Sequence, residues 1–468
     1  MESRKQPPYL LLLGVYFLWF TSDGLRSYFS YDDLMNLYCG WVTPLATVLQ
    51  ANFLVPTGCE RPLGALFYRA VYALFGFSPL AFRVPVFLLL LTNIWLTYKI
   101  AIRLTRSTET AAVTALLAAV HTGFAPLYYD TGVVYDVMCY TFYFLAFLYV
   151  IRIRGEGGVL GARQLIVLIV LCACAINSKE LGATLPLAFL IYELVYQPPT
   201  RWSISALWKW SIREGRAVWV TGLEVSWFIV GKLLGPSTLV QQDTYRPLFT
   251  WARFTESWGR FLNDLFYLRG WFTPVSIVAM WLVALVVAGC LRTKAARFAW
   301  LFLMFTPLPV LFISPRDAHS YYVPLFGWAL LAASLLAAVA GPLTRRLPGS
   351  LFISVSILLV PLHLSTALPP WLDSTNPQCA IASVARQLLT LYPRLTPGSR
   401  LLFASDPFPD MMDHQGMYLV RLMYGDSSLV VHRGRGTAPD SLSDGRPYDH
   451  VFEWRDGRLI ELPPRARP

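Results

Sequence analysis

Apolar runs near the roughly 20-residue length that crosses a bilayer as a helix recur from the N-terminus to about residue 366. These runs lack the polar face that a helix of a soluble protein turns to water. Only 14% of the 468 residues are charged and 55% are apolar, whereas soluble domains carry about 25% charged residues. The pattern predicts an all-α polytopic membrane protein. About eleven spans are expected, at roughly 8–22, 81–102, 110–128, 134–151, 164–178, 182–198, 217–235, 272–291, 298–314, 320–342 and 350–367.

The net charge of +11 is distributed by side. Basic residues gather in short loops: Arg103 and Arg106; Arg152, Arg154 and Arg163; Arg201, Lys209, Arg213 and Arg216; Arg292, Lys294 and Arg297; Arg345 and Arg346. The positive-inside rule makes these loops cytoplasmic. The loops between them hold Asp23, Asp32, Asp33, Glu60, Asp130, Asp136, Asp243, Glu256, Asp264 and Asp317. An odd number of spans then puts the N-terminus in the cytoplasm and the C-terminus outside, in a multi-pass protein of the bacterial inner membrane. Met1–Lys5 resembles a signal n-region, but Thr21–Arg26 offers no small-x-small cleavage site, so the first span reads as a retained anchor. No basic stripe with interleaved aromatics lies away from the membrane flanks, which argues against nucleic acid. The seven cysteines form no metal pattern, and Cys39 and Cys59 share one external loop where they can pair.

Three external segments are long. Residues 23–80 place Leu34, Leu37, Tyr38, Trp41, Leu45 and Leu49 at helical spacing, and Leu63–Phe75 repeats the pattern. Residues 236–271 do the same with Trp251, Phe254, Trp258, Phe261, Leu262 and Phe266. Both read as amphipathic helices on the outer membrane surface. Residues 1–367 therefore form the multi-span domain. In the 368–468 tail, apolar runs shorten to strand length at Leu401–Ala404, Leu429–Val431 and His450–Phe452, which predicts a small external α+β domain.

Ionisable groups at a membrane surface carry a desolvation cost and need a reason. Four groups fall on the external side in this topology. Tyr31-Asp32-Asp33 opens a surface helix and offers a base beside an orienting carboxylate, or simply a helix cap. Tyr128-Tyr129-Asp130 ends the third span, with Asp136 following. In Asn177-Ser178-Lys179-Glu180 the two charges are adjacent, so they should find different partners. In Ser314–Pro324, Arg316, His319 and a tyrosine hydroxyl, Tyr322 among them, are good phosphate donors.

The sequence resembles membrane O-glycosyltransferases of the GT-C superfamily, of the protein O-mannosyltransferase and aminoarabinose transferase kind. The resemblance rests on Glu60-Arg61-Pro62-Leu63 with Tyr72…Phe75-Gly76-Phe77, on Ser178-Lys179-Glu180…Leu185-Pro186-Leu187…Tyr192-Glu193, and on Arg316…His319…Tyr321-Tyr322-Val323-Pro324. It covers roughly residues 1–345, and Asp32-Asp33 matches the acidic motif that carries the catalytic carboxylate in that superfamily. Two departures stand out: Arg83 replaces a histidine often found entering the second span, and no Trp-Trp-Asp motif is present, which argues against transfer of preassembled glycans to asparagine.

The resemblance implies the GT-C fold and a polyprenyl-phosphate-linked sugar as donor. It implies an acceptor hydroxyl on a glycan, lipid or protein, and membrane lipids around the site. An inverting displacement needs a base for the acceptor proton and cations for the departing phosphate. Asp32 or Asp33 would be the base, with Asp33 favoured because Asp32 is better placed to cap the helix. Arg316, His319, Tyr322, Lys179 and Arg61 would hold the phosphate, and Asp130 and Glu180 would supply further carboxylates near substrate. No cofactor is demanded by these motifs, and a divalent cation is compatible with them. The competing readings are a polyprenyl-lipid ligase or phosphotransferase, a transporter, and a non-catalytic scaffold. A transporter would place polar residues and Gly/Pro breaks mid-span and show related halves, and this chain does neither.

Overall fold

The computed structural model describes residues 8–50, 61–234, 243–268, 270–341, 347–366, 376–408, 414–434 and 446–463. Cys59 and Glu60, and with them the expected Cys39–Cys59 pair, lie outside these residues.

Each of the eleven expected spans meets a helix: Tyr9–Thr21, Pro79–Thr105, Thr108–Ala119, Val134–Gly155, Ala162–Ser178, Leu185–Tyr196, Arg216–Leu234, Pro274–Leu291, Lys294–Phe305, Tyr322–Val339 and Ser350–Ser365. Among the described residues, five helical segments are long and apolar enough by length and composition to cross a membrane: Pro79–Thr105, Thr131–Gly155, Pro274–Leu291, Lys294–Leu311 and Ala318–Val339. Others are shorter than the sequence pattern suggests. The run expected at 110–128 breaks after Ala119 and resumes only as the short α-helix Pro126–Tyr129, between the 3-10 turns Thr122–Phe124 and Thr131–Val133. Twelve residues rise about 18 Å, less than the roughly 30 Å hydrocarbon layer. Thr108–Ala119 is buried at most positions, and broken helix at membrane depth is tolerated where protein, not lipid, surrounds it.

Sequence punctuation sets these boundaries. Ser107, Thr250, Thr273 and Thr293 each accept a backbone N–H of the following turn, satisfying donors the helix leaves orphaned. Pro62, Pro79, Pro274 and Pro377 stand in first turns, where a missing N–H costs nothing. The Pro79–Thr105 helix packs on Thr108–Ala119 and Val134–Gly155, and Tyr322–Val339 packs on Thr108–Ala119 and Lys294–Phe305. Phe144, Phe147, Phe302 and Phe326 fill the centre of this bundle.

The segments expected outside the membrane are helical, as their spacing predicts. Tyr31–Val42, Leu45–Gln50 and Pro62–Phe75 precede the second span, and Trp251–Leu265 precedes the eighth. Pro62–Phe75 presses against Val134–Gly155 at Gly64, where a β-carbon would sit 1.9 Å from the Tyr135 ring. After residue 375, the helices Pro377–Leu391 and Gln415–Tyr424 flank a four-stranded sheet. Its strands are β1 Arg400–Phe403, β2 Val430–Arg433, β3 His450–Arg455 and β4 Arg458–Leu462, in the order β2-β1-β3-β4. β1 pairs in parallel with β2 and β3, while β4 returns antiparallel on β3. β1 to β3 fall on the three expected runs; β4 does not appear among them. This unit docks on the helices Tyr31–Val42 and Pro62–Phe75 and on the Pro126–Tyr129 turn: Tyr72 donates to Leu422 O at 2.6 Å, Arg421 to the Tyr38 hydroxyl at 2.6 Å, and Gln378 to Tyr129 O at 3.0 Å.

Candidate active site

The sequence around Asp32 sets the geometry of the site. Ser30, not Asp32, is the N-cap of the Tyr31–Val42 helix. The Asp33 N–H donates to Ser30 Oγ at 3.1 Å and the Ser30 N–H donates to Asp33 Oδ2 at 2.9 Å, a capping box. Asp33 is fully buried. It also accepts from the Tyr68 hydroxyl at 3.2 Å and lies 3.8 Å from Arg83, itself buried and donating to Tyr28 O. The expectation that Asp32 caps the helix while Asp33 faces open space is therefore reversed. Successive helical residues diverge by about 100°, so committing Asp33 to the interior turns Asp32 outward.

Asp32 opens onto a cavity of about 860 Å³. Asp130, Asp136, Lys179, Glu180, Arg61, Arg316 and His319 line the same cavity. Asp33 and Tyr322 do not. Tyr322 lies in the bundle, its ring stacked on Tyr140 with centroids 4.2 Å apart; Tyr321 stacks likewise on Phe261. Both rings are needed to pack the first turn of their helix, which takes the expected hydroxyl donor away from the cavity.

Asp130 serves two purposes. Its Oδ1 accepts the Gly132 N–H and the Ser30 hydroxyl, each at 2.8 Å, so it joins the loop before Val134 to the cap of the Asp32 helix. Gly132 is where these meet: a β-carbon there would stand 2.9 Å from both Asp32 Cβ and Asp130 Oδ1. Burial first, and then the Asp130 charge, raise the Asp32 pKa above the ordinary carboxylate value, with Lys179 pulling the other way. Asp32 keeps an exposed side chain that lines the cavity. Burial and Asp130 push Asp33 up to about 7, against the opposing pull of Arg83, Ser30 and Tyr68.

Lys179 and Glu180 have separate partners, as their adjacency requires. Lys179 Nζ donates to Asp136 at 2.6 Å. Glu180 accepts a two-pronged pair from Arg61 at 2.7 and 3.2 Å and has Lys232 at 3.8 Å. Burial raises the Glu180 pKa, but Arg61 and Lys232 outweigh it and hold the carboxyl at about 2. Arg316 is different: its guanidinium lies over the Tyr245 ring at 4.2 Å, and among the described residues it faces no carboxylate within ion-pair distance. The neighbouring Asp317 pairs with Arg260 instead. Among the described residues, the buried His319 Nδ1 has no hydrogen-bond partner.

Arg83, Tyr245 and Gly132 acquire roles that the sequence did not assign. The Asp-x-Gly turn at Asp130–Gly132 was the available signal for Gly132; Tyr245 carried none. Among the described residues, no group of three or more His, Cys, Asp or Glu is placed to hold a metal ion.

Comparison with known proteins bears on the fold that carries this cavity. The dolichyl-phosphate-mannose-protein mannosyltransferase family matches residues 56–213. The structure of ArnT from Cupriavidus metallidurans bound to undecaprenyl phosphate overlays with a TM-score of 0.54 at 15% identity, covering 95% of this chain and 92% of that one. The Archaeoglobus fulgidus oligosaccharyltransferase tethered to an acceptor peptide with an NVT sequon overlays at 0.41 and 10% identity, covering 90% of this chain and 63% of that one. No curated protein sequence matches. The chain has the GT-C fold, with its small C-terminal sheet, and the mannosyltransferase family match falls within its membrane domain.

Proposed function

We propose that this protein transfers a sugar from a polyprenyl-phosphate-linked donor to an acceptor hydroxyl on the external side of the membrane, with Asp32 as general base. One observation carries the reading: Asp32 shares a single cavity with Arg316 and His319, two donors without a carboxylate partner among the described residues. The acceptor oxygen attacks the anomeric carbon and its proton passes to Asp32. The bond from that carbon to the phosphate oxygen breaks, and polyprenyl phosphate leaves with its added charge held by Arg316 and His319. Lys179 and Arg61 contribute less here, because Asp136 and Glu180 already balance them.

Asp130 is the second carboxylate, holding Asp32 in place and raising its basicity. The mannosyltransferase family match and the undecaprenyl phosphate bound by the ArnT fold relative support the donor class. The alternation of basic loops supports an external site and a cytoplasmic N-terminus.

Purified protein in liposomes, supplied with polyprenyl-phosphate-linked mannose or aminoarabinose, should release polyprenyl phosphate when an acceptor fraction from cell envelopes is added. Asp32→Asn should abolish release. Donor binding without release from either lipid by the wild-type protein would favour a scaffold and sink the proposal. An alkaline phosphatase fusion after Pro468 should be active, and an inactive one would overturn the sidedness.

A further inference from the structure

A second cavity, of about 590 Å³, lies between Ala162–Ser178, Ile204–Arg213 and Arg216–Leu234. Leu165, Trp208, Ile212 and Trp219 give it apolar walls, and Arg216 is the one charged residue in its lining. The Ile204–Arg213 helix buries none of its residues. Ile204, Trp208 and Ile212 recur every four residues along one exposed face, an arrangement typical of a helix lying in a membrane interface.

The groove is held open by bonds that do not involve its apolar walls alone. The Trp210 indole donates to Gln197 O at 2.9 Å, tying the helix to the body. The Trp219 indole donates to Ser211 Oγ at 2.8 Å across the turn. Glu214, in that turn, is bound by buried Arg154. The surrounding segment, 197–216, carries Arg201, Lys209, Arg213 and Arg216 against this single acid. All four basic residues are exposed, so the segment that supplies one wall of the slot carries unbalanced positive charge, with Arg216 in the lining itself.

We propose that this groove is a binding site for one anionic phospholipid of the leaflet opposite the active site. An acyl chain lies between Trp208 and Trp219, and the phosphate lies against Arg216 with Arg213 and Lys209 near the headgroup. The combination selects this occupant. A zwitterionic lipid or an apolar protein helix would fill the slot but would not use these basic residues. The site is separate from the cavity of Asp32, so it stands or falls independently of the proposed reaction.

Native mass spectrometry of the full-length protein, released from mixed micelles of phosphatidylglycerol and phosphatidylcholine, tests this. Phosphatidylglycerol should be retained about fivefold or more over phosphatidylcholine. Combined Lys209→Gln, Arg213→Gln and Arg216→Gln should erase the preference. Ala162→Phe, which fills the slot and keeps every charge, should displace the lipid while circular dichroism stays unchanged. Equal retention of both lipids by wild type, or a preference that survives either variant, would overturn the site. A dimer that Ala162→Phe dissociates would also overturn it, since a second copy would then be the occupant.

Discussion

Ser30 and Asp33 bond to each other reciprocally, N–H to carboxylate at 2.9 Å and N–H to hydroxyl at 3.1 Å, and this pair decides which of two adjacent carboxylates meets the cavity. Asp33 is committed to the helix cap and to Tyr68, leaving Asp32 as the one of the two that lines the cavity. Asp32→Asn should therefore lower transfer by about 10²-fold or more, the scale of general-base loss, with donor binding retained. Asp33→Asn should fall mainly in folded yield. Transfer and lipid-donor binding measured separately on both variants check this, and equal losses of transfer with equal stability would contradict it.

The pH dependence of transfer should report on Asp32. A base works only when ionised, so the acidic limb of kcat/KM should lie above the ordinary carboxylate range, where burial and Asp130 place Asp32. Asp130→Asn keeps a side chain able to cap Gly132 but removes the like charge. The limb should then move to lower pH. A limb that stays in place would mean that another group is the base.

Asp33 should make the fold pH-dependent in a definite direction. Its folded pKa is raised to about 7 from 3.8. Below the unfolded value both states are protonated, and that stability is fully present. As pH rises toward 7 the unfolded chain gives up the proton first, so stability falls across this window. Thermal unfolding in detergent should show a lower Tm at pH 8 than at pH 5, and Asp33→Asn should flatten the difference.

Much of the bundle was legible because apolar length and loop charge are direct physical requirements of a bilayer. The eleven segments, the amphipathic helices and the gathering of Asp32, Asp130, Lys179, Glu180, Arg61, Arg316 and His319 all follow from patterns written along the chain. What failed depended on a single residue of register. Choosing between Asp32 and Asp33 required knowing that Ser30 is the cap, and Ser30 lies only two residues before Asp32. Tyr322 failed for another reason: hydroxyl chemistry does not reveal whether a ring is needed for packing, and the Tyr140 stack is a contact across 182 residues of sequence. β4 was missed because the Arg458–Leu462 alternation is short and has an acid within it.

Gly132 should tolerate no side chain. The β-carbon of alanine would stand 2.9 Å from both Asp32 Cβ and Asp130 Oδ1, closer than real contacts allow. The Asp32 helix is anchored by its capping box, so the Asp130 loop must give way. Gly132→Ala should cost transfer at least about tenfold, because a misplacement near 1 Å is enough for that, while detergent stability changes little. An alanine variant with wild-type kcat/KM would show that the position of the Asp130 loop beside Asp32 is not critical.

Arg316 should behave as a group reserved for ligand. Its guanidinium rests on Tyr245 rather than on an acid, and Asp317 is taken by Arg260. A fully paired surface arginine contributes little when removed, whereas a donor to a leaving phosphate contributes in the transition state. Arg316→Ala should reduce kcat by about 10²-fold with the protein still folded. Arg316→Lys should rescue only part of this, since a point charge replaces a planar fork and loses the ring stack. Tyr245→Ala should cost less, about 3- to 30-fold, in line with roughly 0.5–2 kcal/mol for a cation over an aromatic face. Asp317→Asn breaks the Arg260 pair and leaves Arg316 on its ring, so it should leave kcat nearly unchanged. If Asp317→Asn instead matches Arg316→Ala in its loss, the loop acts as one ion-paired unit and Arg316 is not the phosphate donor.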